Sequence, residues 1–218
     1  YLLLGIYLLL VVYVLDRPGE AVGLSLACAI IPYQLLMATV TNCLDAVHAR
    51  ESIILNMAFE RSLVPAAVVL METAGFIASL SMIALMMGVY GVGVSLALAW
   101  YPVLFVATVI LALGVAYPAA LFGVWFRQSR TLAIGLVRAL FFLAPGLVPL
   151  AEASSTARRL LELNPLTSVF EAYRDVFLYQ ASPTPRHLVY PILAGAVLLL
   201  AFVPLYRKEQ SQFAKVVE

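Results

Sequence analysis

The sequence predicts an all-α integral membrane protein with six transmembrane helices, the first truncated, and two short outer-side helices between spans five and six. Three observations carry that reading. Of the 218 residues, 64% are hydrophobic and 11% are charged, against about 45–50% and about 25% in a soluble domain. Several apolar runs reach the roughly 20 residues that a helix needs to cross the hydrocarbon core. The runs are apolar all round, whereas the strands of a membrane barrel alternate.

The first run, Tyr1 to Leu15, starts without a methionine, a basic lead-in or a small-residue cleavage site. It is expected to be the remainder of a truncated span, not a signal peptide. Asp16-Arg17-Pro18-Gly19-Glu20 closes it with a polar turn. A second span is expected over about 21–43, kinked at Pro32, and a third over about 63–87 with Pro65 in its first turn. Gly88 to Gly93 reads as a turn, and the fourth run, about 94–126, is long enough to tilt or become irregular near Pro102 and Pro118. After the short basic loop Arg127-Gln128-Ser129-Arg130, a fifth span is expected over about 131–150 and a sixth over about 188–206. No soluble domain or internal repeat interrupts the pattern, so 1–218 reads as one transmembrane domain. Cys28 and Cys43 form no CxxC and read as small core hydrophobes.

Two stretches depart from plain spans. In Phe141 to Leu178, Pro145 and Pro149 end the hydrophobic run and Asn164-Pro165 separates two short helical segments. Asn164 is a favourable N-cap, and Pro165 stands where its missing N–H costs nothing. Leu166, Val169, Phe170, Tyr173, Val176 and Phe177 share one helical stripe, with Thr167, Ser168, Glu171, Arg174 and Asp175 away from it. A helix apolar on one side is expected to lie at a membrane interface; a plain surface hairpin is the simpler alternative. The other stretch is Asn42 to Ser62, where His48 and Glu51 fall among Leu44, Val47, Ile54 and Leu55. That mixed surface suits contact with another protein; the alternative is a solvated connector.

Six spans put both termini on one side of the membrane. Arg50, Arg61, Arg127, Arg130, Arg207, Lys208 and Lys215 fall on that side, against Arg17, Arg158, Arg159, Arg174 and Arg186 on the other. The excess predicts cytoplasmic termini and an outward-facing 142–187 loop.

Several function classes find no support. Lys208 and Lys215 follow Arg207 and Ala214, so there is no Gly-Lys-Ser/Thr phosphate loop. His48 and His187 lie in separate loops, and His48-Ala-Arg-Glu51 lacks zinc-protease spacing, so no metal site is assigned. No serine stands in a GxSxG context, and no catalytic residue is assigned. A net charge of +1 and the lack of a basic run give no sign of nucleic-acid binding. Charges inside spans are costly and attract functional readings. Glu72 and Arg138 are the two here, expected to pair with each other or to line a polar path, with snorkelling as the alternative for Arg138. Trp100, Tyr101, Trp125, Phe126, Tyr190 and Tyr206 sit at span ends and read as interface anchors.

The runs VWFRQSRTLAIGLVRALFFLAPGLVP and LNPLTSVFEAYRDVFL resemble the permease subunits of type 2 ABC exporters (the ABC-2 family). They are most similar to the branch that exports cell-surface polysaccharides such as O-antigen, capsule or teichoic acid. Phe126-Arg127 stands in that family's loop, with Gln128 where an Asp is common, and Ala144-Pro145 replaces the usual Ser-Pro. Asn164-Pro165-Leu166 and Tyr173-Arg174 match its NP and YR positions. Upstream, Asn56 and Pro65 are in place, while Glu60-Arg61 departs from the common Lys/Phe-Pro arrangement.

The resemblance implies a homodimeric permease in the bacterial cytoplasmic membrane, served by two copies of a separate ATPase subunit and moving a lipid-linked glycan. ATP and Mg would belong to the ATPase, with no cofactor on this chain; membrane lipids and a second copy of the permease are its other partners, and nucleic acid is not one. It implies an ATPase-coupling segment between spans two and three, holding Asp45, His48, Arg50, Glu51, Asn56, Glu60 and Arg61. It also implies an outer gate in the two short helices, with Asn164, Pro165, Phe170, Tyr173 and Arg174. A chain without a nucleotide motif needs an outside energy source, and deep charges suited to a gradient-driven transporter are sparse. The competing expectations are a drug or small-lipid exporter of the same superfamily, a gradient-driven transporter and an intramembrane enzyme.

Overall fold

The computed structural model of the chain describes residues 5–6, 21–47, 49, 60–126, 130–146, 150 and 154–210, and no strand occurs among them. Helix α1 is Val22–Asp45. The 3-10 turn Arg61–Leu63 leads into α2, Val64–Val89, and a second one, Leu96–Trp100, leads into α3, Tyr101–Trp125. Then come α4, Arg130–Phe142, α5, Ser155–Leu161, α6, Pro165–Phe177, and α7, Pro185–Glu209.

Among the described residues, four helices are long and apolar enough to cross a membrane: α1, α7, and α2 and α3 with their leading turns. They correspond to the second, third, fourth and sixth expected spans. The first expected span lies outside the described residues except at Gly5 and Ile6. The fifth is shorter than expected. The 13 residues of α4 rise about 20 Å, against roughly 30 Å of hydrocarbon. Pro145 explains the early stop: it has no N–H to offer the carbonyl four residues back, and its ring crowds that carbonyl. The chain turns from Leu143 to Gly146 instead of continuing to 150. Pro118, by contrast, is absorbed inside α3, which stays continuous.

α1 is the hub. It packs against α2, α3, α4 and α6 and is buried along most of its length from Gly23 to Leu44. α3 lies against both α1 and α7, and glycines set how closely. A Cβ on Gly114 would sit 2.7 Å from the Gly195 backbone, and one on Gly195 would sit 2.6 Å from the Ile110 carbonyl oxygen. A Cβ on Gly123 would run into the Leu44 carbonyl. At these crossings backbone meets backbone.

Cys28 and Cys43 are free and buried, as expected of small core residues. Tyr206 is not an interface anchor. It is fully buried, with its ring edge-on to Tyr117 at 5.6 Å, because α7 turns that side towards α3. Trp100, Trp125 and Phe126 are exposed at helix ends, in keeping with the anchor reading.

Candidate functional site

The stretch containing α5 and α6 folds back into the bundle. Asn164 starts α6: its Oδ1 accepts from the Leu166 N–H at 3.0 Å, and its Nδ2 donates to the Leu140 carbonyl of α4 at 2.9 Å. The stripe of Leu166, Val169, Phe170, Tyr173, Val176 and Phe177 is buried, as its periodicity predicts. Phe170 meets Phe141 of α4 edge-on, and Phe141 tilts against Tyr33 of α1 at 4.5 Å. The Tyr173 hydroxyl lies 3.4 Å from the Thr108 hydroxyl of α3.

The opposite face corrects the sequence reading. Thr167, Ser168, Glu171 and Arg174 are buried as well, and Asp175 is half-buried. α6 therefore does not lie on an interface with its polar side in water; α1, α3 and α7 enclose it. Arg174, at 0% exposure, shows how a charge is accommodated there. Its Nε donates to the Ser25 hydroxyl of α1 at 3.1 Å, Nη1 to Glu171 Oε1 at 2.7 Å, and Nη2 to the Gly146 carbonyl at 3.1 Å. Glu171 Oε1 also accepts from the Leu150 N–H at 3.0 Å. Both charges are paired and further hydrogen-bonded, the condition under which buried ions persist. One guanidinium thus ties α6 to α1 and to the turn after α4.

Around this end, the Gly23 N–H donates to the Tyr90 hydroxyl at 3.1 Å, and Gln180 Nε2 donates to the Gly93 carbonyl at 2.8 Å. Asp175 pairs with His187 at 3.3 Å. Glu162 lies between Arg186 at 2.7 Å and Arg158 at 3.2 Å. The Arg186 hydrogen bond holds its carboxyl below the usual range against the opposing effect of burial, with Arg158 assisting.

At the other end of the bundle, Asp45 at the close of α1 accepts from Arg130 at the start of α4, with Nη2 at 2.8 Å. Arg207 of α7 stands 3.5 Å from Glu60, Arg61 Nη1 donates to the Gln210 carbonyl at 2.9 Å, and the Tyr117 hydroxyl donates to the Ser62 carbonyl at 3.1 Å. Asp45, Glu60 and Arg61 therefore share one end, whereas His48, Arg50, Glu51 and Asn56 lie outside the described residues.

Glu72 and Arg138 do not pair. Glu72 Oε1 accepts from Asn42 Nδ2 of α1 at 2.7 Å, while Arg138 is exposed on α4 with no ion pair among the described residues. Asn42 belongs to an open stripe of α1 that sequence reading missed: Gln34, Thr41, Asn42 and Asp45 are half-buried or exposed, with Met37 and Ala38 half-buried between them, on a helix buried along most of its length. Their offsets of 7, 8 and 11 residues from Gln34 match one helical face, a signal masked by the surrounding apolar run. Ser25, Gly146 and Thr108 were also missed, and no local pattern marks them. No group of His, Cys, Asp and Glu that could hold a metal ion occurs among the described residues.

Fold and site define a multi-pass helical membrane protein with a buried short helix, α6, held by a sealed ion pair at one end and an exposed Asp45–Arg130 pair at the other. No family model matches the chain. Three curated proteins, each called O-antigen export system permease protein RfbA, are similar to it. One from Klebsiella pneumoniae is 25% identical over 194 residues, spanning 88% of this chain and 74% of the relative. One from Myxococcus xanthus is 22% identical over 214 residues, 97% of this chain and 82% of the relative. A second Klebsiella pneumoniae protein is 24% identical over 196 residues, 89% of this chain and 75% of the relative. The similarity to these O-antigen export permeases runs along most of the chain.

Proposed function

We propose that the chain is the membrane-spanning subunit of an ATP-driven exporter that moves a lipid-linked polysaccharide of the O-antigen, capsule or teichoic-acid type across the bacterial cytoplasmic membrane. The observation that carries this is the similarity to O-antigen export permeases over 88% to 97% of the chain. Two copies of the permease would work with two copies of a separate ATPase, on which ATP and Mg bind. The chain would cross six times with both termini cytoplasmic. Arg61, Arg130 and Arg207 gather at one end, the end that the excess of basic residues counted along the sequence assigns to the cytoplasm. There the segment containing Asp45, His48, Arg50, Glu51, Asn56, Glu60 and Arg61 meets the ATPase.

In this reading α5 and α6 form the outer gate, with Asn164, Pro165, Phe170, Tyr173 and Arg174 holding it. The open polar stripe of α1, with Glu72 hydrogen-bonded to it at Asn42, and the exposed Arg138 of α4 would line the path between protomers, since such groups are costly against lipid. α4, attached near its two ends and otherwise largely exposed, is the element free to shift when the ATPase closes.

The test is co-purification from native membrane together with a surface-glycan assay. The expected result is an ATPase at about equal stoichiometry and loss of surface glycan on deletion, restored by the plasmid-borne chain. Intact surface glycan in the deletion strain would overturn the proposal. Loss of drug resistance with glycan intact would point to the drug-exporting relatives instead.

A further inference from the structure

The stripe Val189, Leu193, Val197 and Leu200 on α7 is 50% to 78% exposed. These residues lie on one side of a helix of membrane-spanning length. One turn before Val189 the same face carries Arg186, whose side chain is 58% exposed. The apolar stripe and the arginine therefore mark consecutive depths on one surface, hydrocarbon and then headgroup.

α5 is fastened at that level. Arg186 and Arg158 share Glu162, and the Tyr190 hydroxyl donates to the Leu163 carbonyl at 2.6 Å. Leu160 of α5 and Leu163 in the turn after it are 68% and 69% exposed, and Arg159 is exposed with no partner among the described residues. The other described carboxylates at this end, Glu171 and Asp175, lie against Arg174 and His187. Among the described residues, Glu162 pairs with Arg158 and Arg186 and no carboxylate pairs with Arg159, so three guanidinium groups gather around one described carboxylate beside two exposed leucines.

We propose that Arg158, Arg159 and Arg186 form a binding site for the phosphate headgroup of an anionic bilayer phospholipid. Leu160 and Leu163 enter the acyl region beside it, continuous with the exposed stripe of α7. Arginine forks suit phosphate oxygens, and a basic surface with inserted apolar side chains is the combination that holds a segment on a membrane. The site depends only on the membrane-spanning character of α7, so it stands or falls separately from the export reading.

The test is native mass spectrometry of the intact protein in detergent with equal amounts of phosphatidylglycerol and phosphatidylcholine. Wild type is expected to retain phosphatidylglycerol preferentially. Arg159→Gln, which removes no contact within the described residues, should weaken that preference about fivefold; R158Q/R159Q/R186Q should abolish it. Unchanged preference in Arg159→Gln and the triple variant overturns the proposal. So does displacement of the bound phosphatidylglycerol by a purified lipid-linked glycan, which would make the cargo phosphate the occupant. Disulfide formation between two copies carrying Leu163→Cys would also overturn it, by putting a protein surface where the lipid should be.

Discussion

Two ion pairs, one at each end of the bundle, use the same chemistry in opposite surroundings. Asp45 and Arg130 are each about half exposed at 2.8 Å, while Arg174 and Glu171 are sealed at 2.7 Å with 0% and 10% of their side chains accessible. An exposed pair is screened by water and salt and contributes about 0–1 kcal/mol. Breaking a buried pair leaves an uncompensated charge and costs about 3–5 kcal/mol. The Asp45–Arg130 pair can thus exchange partners at little cost, while the Arg174–Glu171 pair is held in one arrangement.

The most severe way to break this contrast is Arg174→Leu. It strands Glu171 and frees the Ser25 and Gly146 contacts, and should lower stability by about 3–5 kcal/mol, read as a large fall in Tm in nanodiscs. Pairing it with Glu171→Leu should recover much of the loss; a double variant as unstable as the single would mean that the pair is not the issue. Next comes Gly114→Ala, whose added methyl meets the Gly195 backbone and should cost about 1–3 kcal/mol by overpacking. Unaltered thermal unfolding there would contradict the close crossing. Asn164→Ala removes the cap of α6 and the bond to Leu140; about 1 kcal/mol is expected, with faster proteolysis between α5 and α6 as the readout.

The smallest stability effect belongs to Asp45→Asn, at most about 1 kcal/mol and vanishing in high salt. Its larger effect under the proposed function is on ATP hydrolysed per glycan exported. If Asp45→Asn destabilised the protein as much as Arg174→Leu, the contrast between the two ends would be lost.

Much of the fold follows from local signals. The apolar runs mark the four long helices, and Asn164-Pro165 marks the start of α6 because capping and proline geometry are properties of adjacent residues. The apolar stripe of α6 is legible for the same reason. The fate of its polar face is not, because periodicity gives the direction of side chains but not what lies in that direction. Ser25 is 149 residues from Arg174, and nothing local announces it. The i, i+3 spacing of Glu171 and Arg174 was the available hint, since a helical pair can carry its own neutralisation into a core. Glu72 is a similar case: its partner Asn42 is 30 residues away on another helix. The early end of α4 was readable from Pro145, but the apolar run beyond it concealed the stop. The chemistry at Asp45, Glu60 and Arg61 was legible as polarity, yet their meeting at one end depends on how the helices are threaded.

The glycine seams impose a mechanical constraint. Where α3 meets α7 at Gly114 and Gly195, and α1 at Gly123 and Leu44, the nearest atoms are backbone, with the Ile110 side chain beside Gly195. Interfaces switch by repacking side chains; a seam of backbone on backbone has little to repack. Under the proposed function, α1, α3 and α7 would serve as a stator, and a stroke would be carried by the parts bolted to that frame by polar side chains.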